Sequence, residues 1–174
     1  MHDAGKDLAI FAVAYTLVPK ASYPTQLRQS VAALRYVLQA SGRAPANIYV
    51  GGDSAGGNLV LGLLSHLSHP HPEIKPLTLS GKLGGATLMS PWTSLESEFP
   101  PQETEPLGDL VTADVAKPWS SGYLNGRDRD CYTDASMAPV EWWDGLQVQE
   151  ILIVAGGYEL LLPFIEDLVG KLKV

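Results

Sequence analysis

The chain has 174 residues, a formal net charge of −7, 45% hydrophobic residues and 18% charged residues. This length and composition are typical of one globular domain with its own core, and the acidity argues against nucleic acid or an anionic membrane surface as a partner. Cys131 is the single cysteine, which excludes an internal disulfide and a thiolate zinc site.

The chain shows no targeting or membrane signal. Residues 1–7 lack a basic stretch followed by a long apolar core, so no secretory signal is expected in them. The longest apolar runs, near residues 8–14 and 151–155, are far shorter than the roughly 20 residues of a membrane span. We therefore expect a cytoplasmic protein without a membrane span; its oligomeric state is not indicated.

Short apolar runs alternate with longer helical patterns, which is typical of a parallel sheet flanked by helices. Residues 8–15 form a near-continuous apolar run and predict a strand buried on both faces. A helix is predicted to begin at residues 23–25 and to end at Ser41-Gly42, since its apolar residues recur at helical spacing. Residues 47–51 predict a second strand.

The second half continues this alternation, with one interruption. The remaining predicted elements are a helix over residues 54–67, strands over 84–90 and 151–155, and a helix from Pro163 through Leu172. Residues 94–145 have no clear period and predict an irregular or lid-like excursion over a site. Its tryptophans, Trp119, Trp142 and Trp143, would line an apolar pocket or pack in the core, and the sequence does not separate these alternatives.

The motif Gly52-Asp53-Ser54-Ala55-Gly56 lies between a predicted strand and a predicted helix. In a nucleophile elbow this turn exposes the serine hydroxyl above the edge of the sheet. A phosphate-binding turn is the alternative, but no lysine follows and such loops carry more glycines. Ser54 is therefore the candidate nucleophile, and the N–H of Ala55 is the candidate oxyanion donor.

The glycines of this motif have a predicted steric role. The serine backbone of such an elbow is strained, and the strand and the helix pass close together. We expect Gly52 and Gly56 to remove Cβ atoms that would collide there, and Gly57 to relieve the same crowding.

Residues 52–59 (Gly-Asp-Ser-Ala-Gly-Gly-Asn-Leu) resemble the elbow of the hormone-sensitive-lipase-like esterases, the fold-3 type of α/β-hydrolase. Residues 15–19, 23–27, 90–92 and 155–161 are also similar to segments of that family, in particular of its fungal members. The resemblance covers nearly the whole chain. It implies an α/β-hydrolase fold, with a mostly parallel sheet and helices on both faces, and the hydrolysis of a small carboxylic ester without metal or cofactor.

The same resemblance implies the acid of a catalytic triad. Glu159 follows the last predicted strand and matches the family's acid position, where aspartate is more common. In this fold the triad runs in the order serine, acid, histidine. A solvated loop carboxylate is the alternative reading of Glu159.

The histidine of the triad is not found in the sequence. His2, His66, His69 and His71 all precede Glu159, which is the wrong order. The last three lie beside prolines after a helix, and they predict a surface loop rather than a metal site because no carboxylate or cysteine pattern completes one.

A glycine-rich oxyanion loop is also missing. The family carries a His-Gly-Gly-Gly loop upstream of the segment that begins here, and nothing before Leu8 resembles it. In the family, the strand leading to that loop lies between the strands matched by residues 8–15 and 47–51. The 174 residues are therefore interpreted as a partial hydrolase domain, truncated at both ends and without a central strand.

Three functions remain open from the sequence. The first is a serine esterase by family whose base and oxyanion loop are missing from this chain, so that the chain itself is expected to be inactive. The second is a non-catalytic small-molecule binder of the same fold, as in the plant gibberellin receptor, which lacks the histidine. The third is an inactive remnant of a truncated gene.

Overall fold

The structure is a computed structural model and describes residues 8–96 and 109–173. Four helices and three strands alternate in these residues: α1 (Thr25–Ser41), β1 (Tyr49–Asp53), α2 (Ala55–Ser68), β2 (Gly85–Met89), α3 (Ala113–Leu124), β3 (Ile151–Val154) and α4 (Leu162–Leu172). Short 3₁₀ helices lie at Pro45–Asn47, Ala135–Met137 and Val140–Trp143.

The strands form one parallel sheet in the order β1-β2-β3. Gly51 lies opposite Thr87, and Leu88 lies opposite Ile153. The connections from β1 to β2 and from β2 to β3 each contain a helix, and because all three strands are parallel their carboxyl ends meet at one edge. The predicted parallel α/β sheet is confirmed, and this edge is where side chains after the strands can converge.

The predicted helix boundaries agree with the structure to within about two residues. Gly42 has φ of 60°, a left-handed conformation that ends α1 after Ser41. Pro163 lies in the first turn of α4, where a missing backbone N–H costs nothing.

One helix was not predicted. Residues 113–124 form α3 inside the segment that was expected to be irregular. Pro118 lies within this helix and removes one of its internal hydrogen bonds, so the sequence carried a helix-breaking signal there. Ala116 and Ser120 are the buried residues of α3, and so small a buried face leaves little apolar periodicity to detect.

The strand predicted over residues 8–15 is wrong. No strand forms there, and Leu8, Ile10 and Phe11 are exposed. The residues are apolar enough for a buried strand, but a strand requires a hydrogen-bonded neighbour. β1 pairs only with β2 among the described strands, and residues 8–15 do not pair with it.

The core lies on one face of the sheet. Helix α2 contacts β1 and β2, and α1 packs against α2. Alternate strand residues point away from this core and are exposed: Tyr49, Met89, Leu152 and Val154. No helix within residues 8–96 and 109–173 covers this second face of the sheet.

Candidate active site

Ser54 is the single residue between the end of β1 at Asp53 and the start of α2 at Ala55. Its backbone has φ of 52° and ψ of −115°, a region that residues with a Cβ atom rarely adopt. Two hydrogen bonds hold this conformation, from Ser54 N to Met89 O at 2.9 Å and from Trp92 N to Ser54 O at 3.1 Å. The local geometry is therefore the strained strand-to-helix turn of a nucleophile elbow.

Two of the three glycines, Gly52 and Gly57, lie where a Cβ atom would collide with a neighbouring residue. A Cβ atom on Gly52 would lie 2.2 Å from Gly56 O, closer than any non-bonded contact. A Cβ atom on Gly57 would lie 2.8 Å from Pro91 Cβ, so this glycine makes room for the segment after β2 rather than for β1. The steric role predicted for Gly56 is wrong, because a Cβ atom there would meet nothing within 4 Å.

Ala55 is the first residue of α2, and its backbone is at the positive end of the helix dipole. The first N–H groups of a helix have no partner within the helix and point out of its end. Ala55 is exposed, as is Asp53 before the turn. This N–H is thus directed toward the region of the serine, as an oxyanion donor requires.

Glu159 lies in the turn after β3, at the same sheet edge as Ser54. Its Oε2 accepts hydrogen bonds from Ser90 Oγ at 2.6 Å and from Gly156 N at 3.0 Å. The side chain is half-buried. A freely solvated loop carboxylate would not be fixed in this way, so the contacts favour a positioned acid.

Ser90 is a site residue that the sequence did not reveal. It follows β2 directly, with φ of 40°, and its N–H donates to Val154 O at 2.7 Å. The backbone thus fixes the serine between β1 and β3, where its hydroxyl reaches Glu159. The only sequence signal was a hydroxyl residue at the carboxyl end of a strand that neighbours both site strands.

A buried polar network holds the excursion against the elbow. Asn58, on α2, donates from Nδ2 to Trp92 O at 2.7 Å and to Thr133 O at 2.6 Å. Asp134 is fully buried and accepts from Leu95 N at 2.7 Å and from Arg129 at 3.1 Å. Burial raises the pKa of the Asp134 carboxyl, against the opposing effect of these donors.

Asp109 joins the excursion to the turn that contains Glu159. One of its carboxylate oxygens accepts from Val111 N at 3.1 Å, and the other accepts from Leu160 N at 2.7 Å. Leu160 is the residue after Glu159. Residues 97–108 of the excursion lie outside the described residues, so its role as a lid stays a prediction.

None of the described histidines is hydrogen-bonded to Ser54. His66 is near the C-terminal end of α2, about 18 Å along the helix from the elbow at 1.5 Å per residue. The predicted surface loop is wrong, because His66 and His71 are buried, and His66 Nδ1 accepts from His71 N at 3.0 Å. His69 stacks on Trp142 with 4.0 Å between ring centroids. His2 lies outside the described residues.

The tryptophans of the excursion divide between the two predicted roles. Trp143 is buried in the main core, and Trp142 packs against it. Trp119 is 53% exposed and contacts Trp92, which is bonded to the backbone of Ser54. Trp119 alone of the three is thus available to a pocket near the elbow.

Within residues 8–96 and 109–173, no three His, Cys, Asp or Glu side chains are arranged to hold a metal ion. None of the helices in that part of the chain has both the length and the apolarity to cross a lipid bilayer.

A parallel sheet with a strained serine elbow and an acid after a later strand defines an α/β-hydrolase. The family model described as alpha/beta hydrolase fold matches residues 4–174, and the chain belongs to this family. Within it, the chain is a hormone-sensitive-lipase-like member, as its similarity to solved structures shows.

The chain is similar to an esterase of the bacterial hormone-sensitive lipase family, with 26% identity and a TM-score of 0.71 over 92% of this chain and 50% of that one. It is also similar to carboxyl esterase 2 of the mycorrhizal fungus Tuber melanosporum, with 25% identity and a TM-score of 0.74 over 92% and 51%.

Two curated relatives are similar over shorter stretches. Steryl acetyl hydrolase 1 of Saccharomyces cerevisiae is 34% identical over 98 residues, which are 54% of this chain and 21% of that protein. An acetyl-hydrolase of Streptomyces hygroscopicus is 28% identical over 122 residues, which are 69% and 38%. The chain thus spans about half the length of the two solved relatives. The matched stretches cover a smaller share, 21% and 38%, of the two curated relatives.

Proposed function

We propose that these residues are the nucleophile and acid portion of a carboxylic-ester hydrolase. Ser54 is the nucleophile, Ala55 N–H stabilises the oxyanion, and Glu159 orients a histidine base that comes from outside the 174 residues. The observation that carries the proposal is the strained Ser54 turn with Glu159 fixed at the same sheet edge. Strain of this kind costs roughly 1–3 kcal/mol and persists mainly where it serves a function.

The chemical steps follow from this assignment. Ser54 Oγ attacks the carbonyl carbon of the ester while its proton passes to the histidine. The negative charge that develops on the carbonyl oxygen is stabilised by Ala55 N–H at the start of α2. Collapse of the tetrahedral intermediate releases the alcohol, which takes the proton from the histidine. Water then repeats the sequence on the acyl-serine and releases the carboxylic acid.

Acetyl esters are the proposed substrate class. Both curated relatives carry acetyl hydrolysis in their names, and no other acyl group is named among them. The alcohol is left open, because the steryl group is named for one relative only.

The described part of the chain supplies no base near Ser54, so we expect the 174 residues alone to be inactive. Loss of single triad members lowers rates by roughly 10⁴- to 10⁶-fold. The purified chain should therefore give no burst of p-nitrophenol from p-nitrophenyl acetate. A burst that disappears in Ser54→Ala would contradict this expectation.

The hydrolase assignment itself is tested on the reading frame extended at both ends as the genome encodes it. Ser54→Ala and Glu159→Gln should each lower kcat for p-nitrophenyl acetate, by at least about 10⁴-fold for the serine. Glu166→Gln is the matched control, because Glu166 is an exposed residue of α4. Full activity in Ser54→Ala would disprove the assignment.

A non-catalytic binder is the second candidate. It is supported by the position of the described histidines, of which His66 is buried at the far end of α2 from the elbow. The two candidates differ in the extended reading frame. A histidine within a few tens of residues after residue 174 supports the hydrolase, and an extension without one supports the binder.

A further inference from the structure

The side chain of Glu159 folds back over its own turn. Its Oε2 accepts from the N–H of Gly156, three residues earlier in the chain, at 3.0 Å. A Cβ atom on Gly156 would lie only 3.1 Å from the same oxygen. The glycine therefore donates to the carboxylate and also leaves room for it.

The short segment after β2 contacts both the nucleophile and the acid. Ser54 N donates to Met89 O at 2.9 Å, and Trp92 N donates to Ser54 O at 3.1 Å. Between Met89 and Trp92, Ser90 donates from its Oγ to Glu159 Oε2 at 2.6 Å. One segment thus fixes the backbone of the nucleophile and the carboxylate of the acid.

The backbone of Ser90 is held in place by the sheet. Its N–H donates to Val154 O at 2.7 Å, directly after the pair in which Met89 lies opposite Val154. Its φ of 40° is a left-handed conformation. Because β2 and β3 fix this backbone, the lengths of the two side chains decide whether Ser90 and Glu159 can meet.

The two side chains are matched in length. Serine is a short donor, with its hydroxyl oxygen one bond beyond Cβ, and glutamate is longer than aspartate by one methylene group. An aspartate at position 159 would withdraw the carboxylate by up to about 1.5 Å, the length of one carbon–carbon bond. The contact of 2.6 Å would then lengthen to about 4 Å, which is beyond hydrogen-bond distance.

We propose that Ser90 is a positioning residue whose length is matched to a glutamate acid. Its hydroxyl, together with the N–H of Gly156, holds the Glu159 carboxylate in the orientation that the histidine base requires, and an aspartate would be out of its reach. The inference rests on the proposed hydrolase function. Ser90 acts through Glu159, so its effect on the rate requires the carboxylate of that residue.

The first test uses the reading frame extended at both ends, with p-nitrophenyl acetate as the substrate. Glu159→Asp should lower kcat by about 10²-fold, as expected for a misplacement near 1 Å, and should leave KM within about twofold. Ser90→Ala should lower kcat by about tenfold, because it removes a hydrogen bond to a charged group. Ser90→Gly should do the same, since glycine adopts φ of 40° without strain. In the Glu159→Ala background, neither change at Ser90 should lower kcat further.

A second change at the same position tests the match of lengths directly. Ser90→Asn places an amide donor one bond further from Cα than the serine hydroxyl, and asparagine tolerates the left-handed φ of 40°. Ser90→Asn should raise kcat of the Glu159→Asp enzyme by at least about tenfold. It should lower kcat of the enzyme with Glu159, where the longer donor crowds the carboxylate. Ser90→Ala is the matched control and should not raise kcat of the Glu159→Asp enzyme.

Several results would overturn the proposal, once circular dichroism shows that each variant is folded. One is a wild-type kcat in Glu159→Asp, and another is an equal loss from Ser90→Ala in the presence and absence of the Glu159 carboxylate. A double variant, Ser90→Asn with Glu159→Asp, that is no more active than Glu159→Asp would also overturn it. If Ser54→Ala is inactive in the same assay, each of these results leaves the hydrolase proposal standing. Activity that survives Ser54→Ala would contradict the hydrolase proposal and, with it, this inference.

Discussion

Ser90 donates a hydrogen bond of 2.6 Å from its Oγ to Oε2 of Glu159, across the carboxyl edge of the sheet. The serine is itself held in a left-handed conformation, with φ of 40°. Ser90 therefore has two opposing effects on the stability of the fold. Its hydrogen bond to the carboxylate stabilises the fold, and its strained backbone conformation destabilises it.

Substitutions of Ser90 separate these two effects. Ser90→Ala loses the hydrogen bond and keeps the strain, and should lower the free energy of unfolding by about 1–2 kcal/mol. Ser90→Gly loses the same bond but relieves the strain, and should be more stable than Ser90→Ala by about 1 kcal/mol. Urea unfolding at neutral pH measures both. An alanine variant as stable as the wild type would show that the bond contributes nothing.

The glycines of the elbow should respond in opposite directions. Gly52→Ala places a Cβ atom 2.2 Å from Gly56 O and should lower the free energy of unfolding by at least about 3 kcal/mol. Gly56→Ala meets open space inside α2 and should raise it by about 0.5–1 kcal/mol. Thermal unfolding of the two variants tests this. Equal destabilisation would contradict the close approach at Gly52.

Ser54 should store strain that a glycine releases. Its φ of 52° and ψ of −115° are accessible to glycine at little cost. Ser54→Gly should therefore be more stable than Ser54→Ala by roughly 1 kcal/mol or more, although both variants lose the nucleophile. Chemical denaturation of the pair is the measurement, and the reverse order of stability would mean that the turn is unstrained.

The buried histidines should make the fold sensitive to mild acid. Burial lowers the pKa of both His66 and His71 from the ordinary value of 6.5. The unfolded chain therefore binds more protons than the folded chain as the pH falls below about 6.5, so the stabilisation is complete above that pH and is lost below it.

The free energy of unfolding should accordingly decrease from pH 7.5 to pH 5.0. His66→Gln is the control, because an amide oxygen can still accept from His71 N and does not titrate in this range. Its stability should fall less steeply with acid. Equal slopes for the variant and the wild type would assign the pH dependence to other groups.

The elbow was predictable because its requirements are local. A strained serine needs a strand before it, a helix after it and a glycine where the two pass, and Gly52 and Ser54 satisfy these within a few residues. The three parallel strands were predictable because short apolar runs alternate with longer helical patterns along the chain.

The features that the sequence did not predict correctly depend on contacts between residues that are distant along the chain. Residues 8–15 have the composition of a strand, but pairing is decided by a neighbour that composition does not reveal. His66 belongs to a polar, proline-flanked stretch and is nevertheless buried, because α2 carries it into the core. Ser90 acquired its role only from the register of β2 against β3, which places its hydroxyl beside Glu159.

The Asp109 side chain connects the excursion to the turn that contains Glu159. Its two carboxylate oxygens bind Val111 N on one side and Leu160 N on the other. A displacement of residues 109–111 would therefore act directly on Leu160, the residue next to Glu159. In the proposed hydrolase, the alignment of Glu159 would then depend on how this part of the excursion is held.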